Sequence, residues 1–294
     1  MKASNSPYRN IDWLTTGYSN VDKILGGGIP TRKITEISGL YSVGKSTLAL
    51  SILAEAQREK RPCLLADIEF SFDEKYASVL GVESTQLDLI QERYAESALD
   101  AIEEWADKHK RGVIVLDSIG GLLPRQEAEK ANGEKIIGGQ AKLVATFLRK
   151  IVPILAINNH ALVVLNHQFT DLMTGKLKTS GGQKLEYHRS IWLMLRKANK
   201  RVMKGDQQVG DIIEAEIRKN KLAPTMRLTT VLTLLYGQGF LKGADLMQDA
   251  LDKGVITKQG QFFFFNGEKI ARGQVGLRDK FKEESFVEQI KALV

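Results

Sequence analysis

The sequence predicts an α/β fold: a mostly parallel sheet flanked by helices, with an antiparallel extension and a small α+β domain at the C-terminal end. Three observations carry this. Short apolar strand patterns alternate with helical ones through residues 33–167, as parallel strands covered on both faces require. Beyond residue 185 the apolar runs lengthen and are separated by turn residues, the pattern of antiparallel strands. From about residue 240 the signals shorten into a helix, a hairpin and a terminal helix.

In order along the chain, KITEIS (33–38) alternates as a strand does, and STLALSILAEAQRE (46–59) has helical spacing. PCLLADIE (62–69) reads as a strand and SALDAIEEWADKHK (97–110) as an amphipathic helix. GVIVLDS (112–118) and HALVVLNH (160–167) are buried strands. Between them GGQAKLVATFLRKIVPILAIN (138–158) is a long helix, which Pro153 is expected to kink or break. SIWLMLRK (190–197), VGDIIEAEIRKNK (209–221) and TMRLTTVLTLLYG (225–237) supply the antiparallel strands. GADLMQDALDKGV, ITKQGQFFFFNGEKI and FVEQIKALV then read as helix, hairpin and helix. The run of four phenylalanines (262–265) reads as a strand packed on both faces rather than a binding surface. The expected division is a short N-terminal segment (1–14), a core (15–238) and a small C-terminal domain (239–294).

With 294 residues, 43% hydrophobic and 26% charged, the composition is that of an ordinary globular protein. No apolar run is long enough to span a bilayer, and the start MKASNSPYRN lacks a signal-peptide core, so a cytoplasmic protein is expected. Cys63 is the one cysteine and reads as a buried thiol, and the histidines lack zinc spacing. A net charge of +7 leans toward a polyanionic partner, the more so because KLKTSGGQK (176–184), RKANKRVMKGD (196–206) and RKNK (218–221) concentrate it in one stretch.

Residues 39–47, GLYSVGKST, fit the phosphate-cradling pattern G-x-x-x-x-G-K-[ST] between a strand and a helix. Gly39 and Gly44 let the backbone turn its N–H groups inward along Tyr41, Ser42 and Val43. Lys45 adds a point charge at the β- and γ-phosphates, the Ser46 hydroxyl is placed for Mg²⁺, and Thr47 opens the helix whose N-terminus meets the phosphates. The chain is therefore read as binding a nucleoside triphosphate. Asp117, closing the VIVLDS strand, is the expected second oxygen for the metal. Asp67 and Glu69 end another strand, and either could act on an attacking water. Their spacing does not choose between them.

Taken together, GLYSVGKST, LLADIEFSFDEKYASVLGV, VIVLDSIGGLLP, TSGGQKLEYH, RKNKLAP and LLYGQGF resemble the RecA family of ATP-dependent DNA recombinases, in order and without large gaps from about Thr15 to the C-terminus. The LNH segment ending the 160–167 strand looks more like a phage recombinase of the UvsX type than like bacterial RecA. The resemblance implies a RecA-like P-loop NTPase core and DNA-dependent hydrolysis of ATP with Mg²⁺. It also implies a homo-oligomer, helical filament or ring, on single-stranded DNA that pairs with homologous duplex DNA. Single-strand-binding or mediator proteins are the further partners it suggests, in a bacterial or phage-infected cell.

Residue by residue, the resemblance makes Glu69 the general base, with Asp67 in at most a supporting role. Asp73 and Tyr76 match positions that hold and stack on adenine. Lys219 and Lys221 match lysines that reach the ATP of a neighbouring subunit. Two loops, 124–139 and 168–182, match the DNA loops. In and beside them Lys142, Arg149, Lys176 and Lys178 are candidate phosphate contacts, while Ile137, Phe169, Leu172 and Met173 are candidate base contacts. Arg196 and Lys197 match a secondary strand-binding surface. Asn166 and His167 stand at the junction between ATP and the second loop, His167 at the place of a sensor glutamine. A one-residue shift would give that role to Gln168 instead.

The sequence also departs from the family's pattern. Few residues precede the resemblance where bacterial RecA has a docking helix, so assembly is expected to use YRNIDWL or the core, with segment 1–14 serving oligomerisation. Glu186 and Trp192 replace basic interface residues, the second loop is slightly shorter, and an acidic C-terminal tail is absent. Two other functions share the same ATP site: a RecA-fold DNA motor or helicase, and an ATP-gated single-strand-binding mediator without strand-exchange activity.

Overall fold

The computed structural model describes residues 10–129, 138–170, 177–180, 182–281 and 283–293. A small antiparallel pair, β1 (Trp13–Leu14) and β2 (Ile29–Pro30), brackets helix α1 (Ser19–Leu25) and carries Leu14 into the main core. Strand and helix then alternate through β3 (Ile34–Gly39), α2 (Lys45–Arg58), β4 (Cys63–Asp67), α3 (Glu74–Val79), β5 (Leu87–Ile90), α4 (Ala95–Lys108) and β6 (Val113–Asp117). A short α5 (Arg125–Ala128), the long α6 (Gly139–Asn158) and β7 (Ala161–Thr170) follow. Next come β8 (Leu177–Thr179), α7 (Gly182–His188), β9 (Ile191–Lys204), β10 (Gln207–Asn220), β11 (Thr229–Leu235) and β12 (Gly239–Phe240). The chain closes with α8 (Ala244–Asp252), β13 (Ile256–Gln259), β14 (Phe262–Phe265), β15 (Glu268–Arg272), α9 (Gly273–Lys280) and α10 (Glu284–Lys291).

The main sheet has the order β12-β11-β10-β9-β3-β7-β6-β4-β5, with β8 on β7. From β9 to β5 the neighbours are parallel, and from β9 to β12 they are antiparallel, as expected from the sequence. Alternation within the buried strands builds a core on each face. Val113 and Val115 pack with Leu48 and Ile52 of α2, whereas Ile114 and Leu116 pack with Ile102 of α4 and Phe147 and Ile151 of α6. Four of the parallel strands, β3, β4, β6 and β7, send their C-terminal ends to the edge where the phosphate loop lies.

Three expectations change. Helix α6 runs unbroken through Pro153, whose ring is on the exposed side, where the carbonyl it leaves unpaired can meet water. The second loop begins later than residue 168, because β7 continues to Thr170 and pairs with β8 through Gln168 with Thr179 and Phe169 with Lys178. The phenylalanine strand has one core face, not two. Phe263 is fully buried and Phe265 meets Phe286 edge-on at 5.6 Å, while Phe262 lies under the Lys269 ammonium at 3.9 Å. Residues 246–290 of this region form their own apolar cluster, whereas Phe240 packs into the main core. Among the described residues no helix is long and apolar enough to cross a membrane.

Candidate functional site

The phosphate loop leaves β3 at Gly39 and re-enters helix at Lys45. At Gly39 a Cβ would sit 2.5 Å from the Leu195 carbonyl oxygen, and at Gly44 one would sit 2.5 Å from the Phe240 ring, so both positions require glycine. Gly44 also has φ +87°, in the left-handed region, and it precedes α2 without any side-chain cap or acidic residue in the first turn. The first N–H groups of α2 thus keep their partial positive charge for an anion. Val43 is buried, Tyr41 is exposed, and Ser42 turns the loop with φ +56°.

Lys45 is buried, and its ammonium donates to the carbonyls of Leu40 at 2.9 Å and Gly39 at 3.2 Å. Burial pulls its pKa down, and the Asp117 and Glu69 carboxylates pull it back up. The Ser46 hydroxyl donates to Asp117 Oδ2 at 2.7 Å. Burial raises the Asp117 carboxyl above its ordinary range, against that hydrogen bond. A hydroxyl and a buried carboxylate side by side suit Mg²⁺, which takes one or two such oxygens and completes its shell with phosphate oxygens and water.

The two carboxylates of the β4 end do not share a face. β4 stops at Asp67, and Glu69 lies in the turn beyond it. Asp67 is buried and accepts hydrogen bonds from the Ser71 amide and hydroxyl, the Phe72 amide and Gln91 Nε2, which together shape the loop before α3. Its acceptor capacity is taken up there. Glu69 is half-exposed, and its Oε1 accepts from the Ser118 hydroxyl and contacts His167 Nε2 at 2.9 Å. Burial pushes the Glu69 carboxyl up, but the hydrogen bonds from Ser118 and His167, with the charges of His167 and Lys45, bring it below the ordinary glutamate value.

Asp73 caps α3, accepting from the amides of Lys75 at 2.9 Å and Tyr76 at 3.1 Å. The Tyr76 hydroxyl bonds Thr47 Oγ1 at 2.9 Å, and its ring packs on the core. Both residues line one cleft with Ser46 and Asp117.

Lys219 and Lys221 lie at the other end of the sheet. Lys219 is in register with Trp192, and Trp192 with Glu36, three residues before Gly39. At about 3.3 Å per residue that is roughly 10 Å short of the phosphate loop's root. Their ammonium groups donate to the carbonyls of Glu186 and Tyr187 on α7. Burial, with Lys221 and Arg189 nearby, lowers the Lys219 pKa.

Among the DNA candidates, Lys142 and Arg149 are exposed on α6 and Phe169 is exposed on β7. Lys178 stands on β8 opposite Phe169, and Ile137, Leu172, Met173 and Lys176 fall outside the described residues. Arg196 and Lys197 are each answered within the sheet, by Glu214 and by Asp211, both at 2.7 Å. Gln168 donates to Ser38 Oγ at 3.3 Å, away from Glu69. Asn166 is buried and bonds Ser180 through its amide and its carbonyl oxygen, at 2.8 and 3.1 Å, closing the base of the second loop. It also donates to Glu36 Oε1 at 3.0 Å. Glu36 forms a buried ion pair with Arg189, a contact the sequence hints at only through a charge in an otherwise apolar strand.

The RecA N-terminal domain family matches residues 1–241. The protein RecA of Thermus thermophilus is 35% identical over 299 aligned residues, covering 100% of this chain and 88% of its own length. Those of Ureaplasma parvum and Staphylococcus carnosus are 33% and 31% identical, covering 94% and 98% of this chain and 83% and 82% of their own lengths.

Proposed function

The chain belongs to the RecA family, and on that premise we propose that it is an ATP- and Mg²⁺-dependent recombinase. It assembles head to tail on single-stranded DNA, pairs that strand with homologous duplex and exchanges strands while hydrolysing ATP to ADP and phosphate. The observation that carries this reading is the division of the site between opposite ends of one sheet. The phosphate loop, Ser46, Asp117 and Glu69 stand at one edge, and Lys219 and Lys221 at the other. On this register the lysines of one copy stand back from its own phosphate loop, and a copy stacked head to tail would bring them to a neighbour's triphosphate. Such a heterologous contact propagates as a filament or closes as a ring.

In this reading the phosphate loop and the α2 N-terminus bind the triphosphate, and Lys45 leaves its carbonyl partners for the β- and γ-phosphates. Asp73 and Tyr76 receive the adenine. Bound Mg²⁺, held by Ser46 with Asp117 behind it, would neutralise phosphate charge. Glu69 orients and deprotonates the water, and the partner's lysines stabilise charge on the transferring phosphoryl group. His167, bonded to Glu69 from β7, the strand that leads into the second loop, links hydrolysis to DNA, and its contact favours it over Gln168 for that role. The LNH segment that ends in this histidine is what a UvsX-like subclass rests on. Lys142, Arg149, Phe169, Met173, Lys176 and Lys178 with Ile137 form the primary DNA surface, and Arg196 and Lys197 a secondary one once freed from their carboxylates.

A strand-exchange assay tests the proposal. Homologous single strand and duplex should yield joint molecules with ATP or a non-hydrolysable analogue. Filament formation without joint molecules would instead indicate an ATP-gated coat or mediator, and unwinding of a forked duplex a motor.

A further inference from the structure

The turn after β6, at the root of the first loop, touches Glu69 twice. The Ser118 hydroxyl donates to Glu69 Oε1, and Gly121 approaches so closely that a Cβ there would lie 3.4 Å from Glu69 Cγ. Ser118 is fully buried and follows directly on Asp117, so its hydroxyl is carried on the rigid end of a central strand. His167 Nε2 reaches the same oxygen from the root of the second loop. Among the described residues the hydrogen bonds to the Glu69 carboxylate go to Oε1, so Oε2 keeps its acceptor capacity.

The turn is also held from the far end of the first loop. Gln140, in the first turn of α6, directs Nε2 at the carbonyls of Ile119, Gly120 and Leu122, at 3.1, 3.1 and 3.0 Å. A Cβ at Gly120 would lie 3.5 Å from Ser180 Oγ, so the exit of the second loop abuts the same turn. Both loop roots therefore converge on one carboxylate.

We infer that Ser118 is a positioning residue for ATP hydrolysis: it fixes one oxygen of Glu69, and the 118–122 turn, stapled by Gln140, couples the first loop to that carboxylate. This rests on the reading of Glu69 as the general base. Ser118 need not touch ATP; it acts by keeping Oε2 aimed, and small misplacements of reacting groups lower rates steeply.

The test compares Ser118→Ala, Glu69→Gln, their combination and Gln140→Ala in the full chain, measuring DNA-dependent ATPase kinetics alongside binding of a fluorescent ATP analogue. Ser118→Ala is expected to lower kcat by about 10- to 100-fold while nucleotide affinity stays within about twofold. It should add nothing to the loss in Glu69→Gln, because both act through one group. Gln140→Ala, which leaves the site's own groups in place, should reduce the DNA-stimulated rate by roughly threefold or more. A hydrolysis-dead Glu69→Gln beside a fully active Ser118→Ala would overturn this inference alone, as would a kcat loss matched by lost nucleotide binding or one additive with Glu69→Gln. Full stimulation in Gln140→Ala would overturn the coupling through the turn. Full hydrolysis by Glu69→Gln would overturn the base assignment and this inference with it.

Discussion

Glu69 carries opposing influences, and their balance has a measurable consequence. Partial burial disfavours its charge, yet the Ser118 and His167 hydrogen bonds outweigh that and lower its pKa. Its ionised form therefore persists to lower pH than in an ordinary glutamate, and with Glu69 as the proposed base the acid limb of kcat/KM, which reports the free enzyme, is expected to lie correspondingly low. The groups facing Glu69 are Ser118, His167 and Lys45, with Asp117 across the site. Changing His167→Ala removes a hydrogen bond and an electrostatic influence that both lower the Glu69 pKa, so that pKa should rise and the acid limb move to higher pH. The same variant should lose most of its DNA stimulation. An unshifted limb with full stimulation would show that His167 neither tunes nor gates the carboxylate. Asp67 illustrates why one carboxylate and not its neighbour is available: its partners Ser71, Phe72 and Gln91 come from loop and strand-end positions that no two-residue spacing can reveal.

At the scale of elements, the strand–loop–helix unit 34–58 depends on its glycines. Changing Gly44→Ala forces an L-residue into φ +87° and drives a methyl into the Phe240 ring. The left-handed conformation alone costs about 1–2 kcal/mol. Affinity for an ATP analogue should therefore fall at least about tenfold, and unchanged affinity would mean that the loop tolerates a side chain there. This unit is legible in the sequence because each of its constraints is local: apolar strand, glycine turn and helix adjoin one another. The buried strands β4 and β6 are legible for the same reason, being apolar throughout. β8 is not, since it has three residues and takes its strand form from pairing with β7. The continuity of α6 through Pro153 likewise depends on which side of the helix meets solvent. The contacts of Ser118 and Gln140 are invisible to pattern, and the Glu36–Arg189 pair shows only as a charge in an apolar strand, because the groups they join are distant in sequence and meet only when the sheet edge and the loop roots close.

For the whole molecule, the sheet sets the function proposed here. The phosphate loop stands at one end and Lys219 and Lys221 at the other, so in the proposed function hydrolysis would belong to the contact between copies rather than to either copy. Membership of the RecA family supplies the expectation of a neighbour, and the register of β10 on β9, which sets the lysines back from the phosphate loop, is the geometric reason for proposing one. A mixing experiment measures this most directly. Lys45→Ala has intact lysines but a disabled phosphate loop, and the double variant Lys219→Ala, Lys221→Ala has the reverse. Each alone should be inactive in DNA-dependent ATP hydrolysis. Mixed in equal amounts, about one contact in four joins an intact loop to intact lysines, so recovery to about a quarter of the unmodified rate is expected. Full activity in the double lysine variant alone, or no recovery in a mixture shown to co-assemble on DNA, would contradict it.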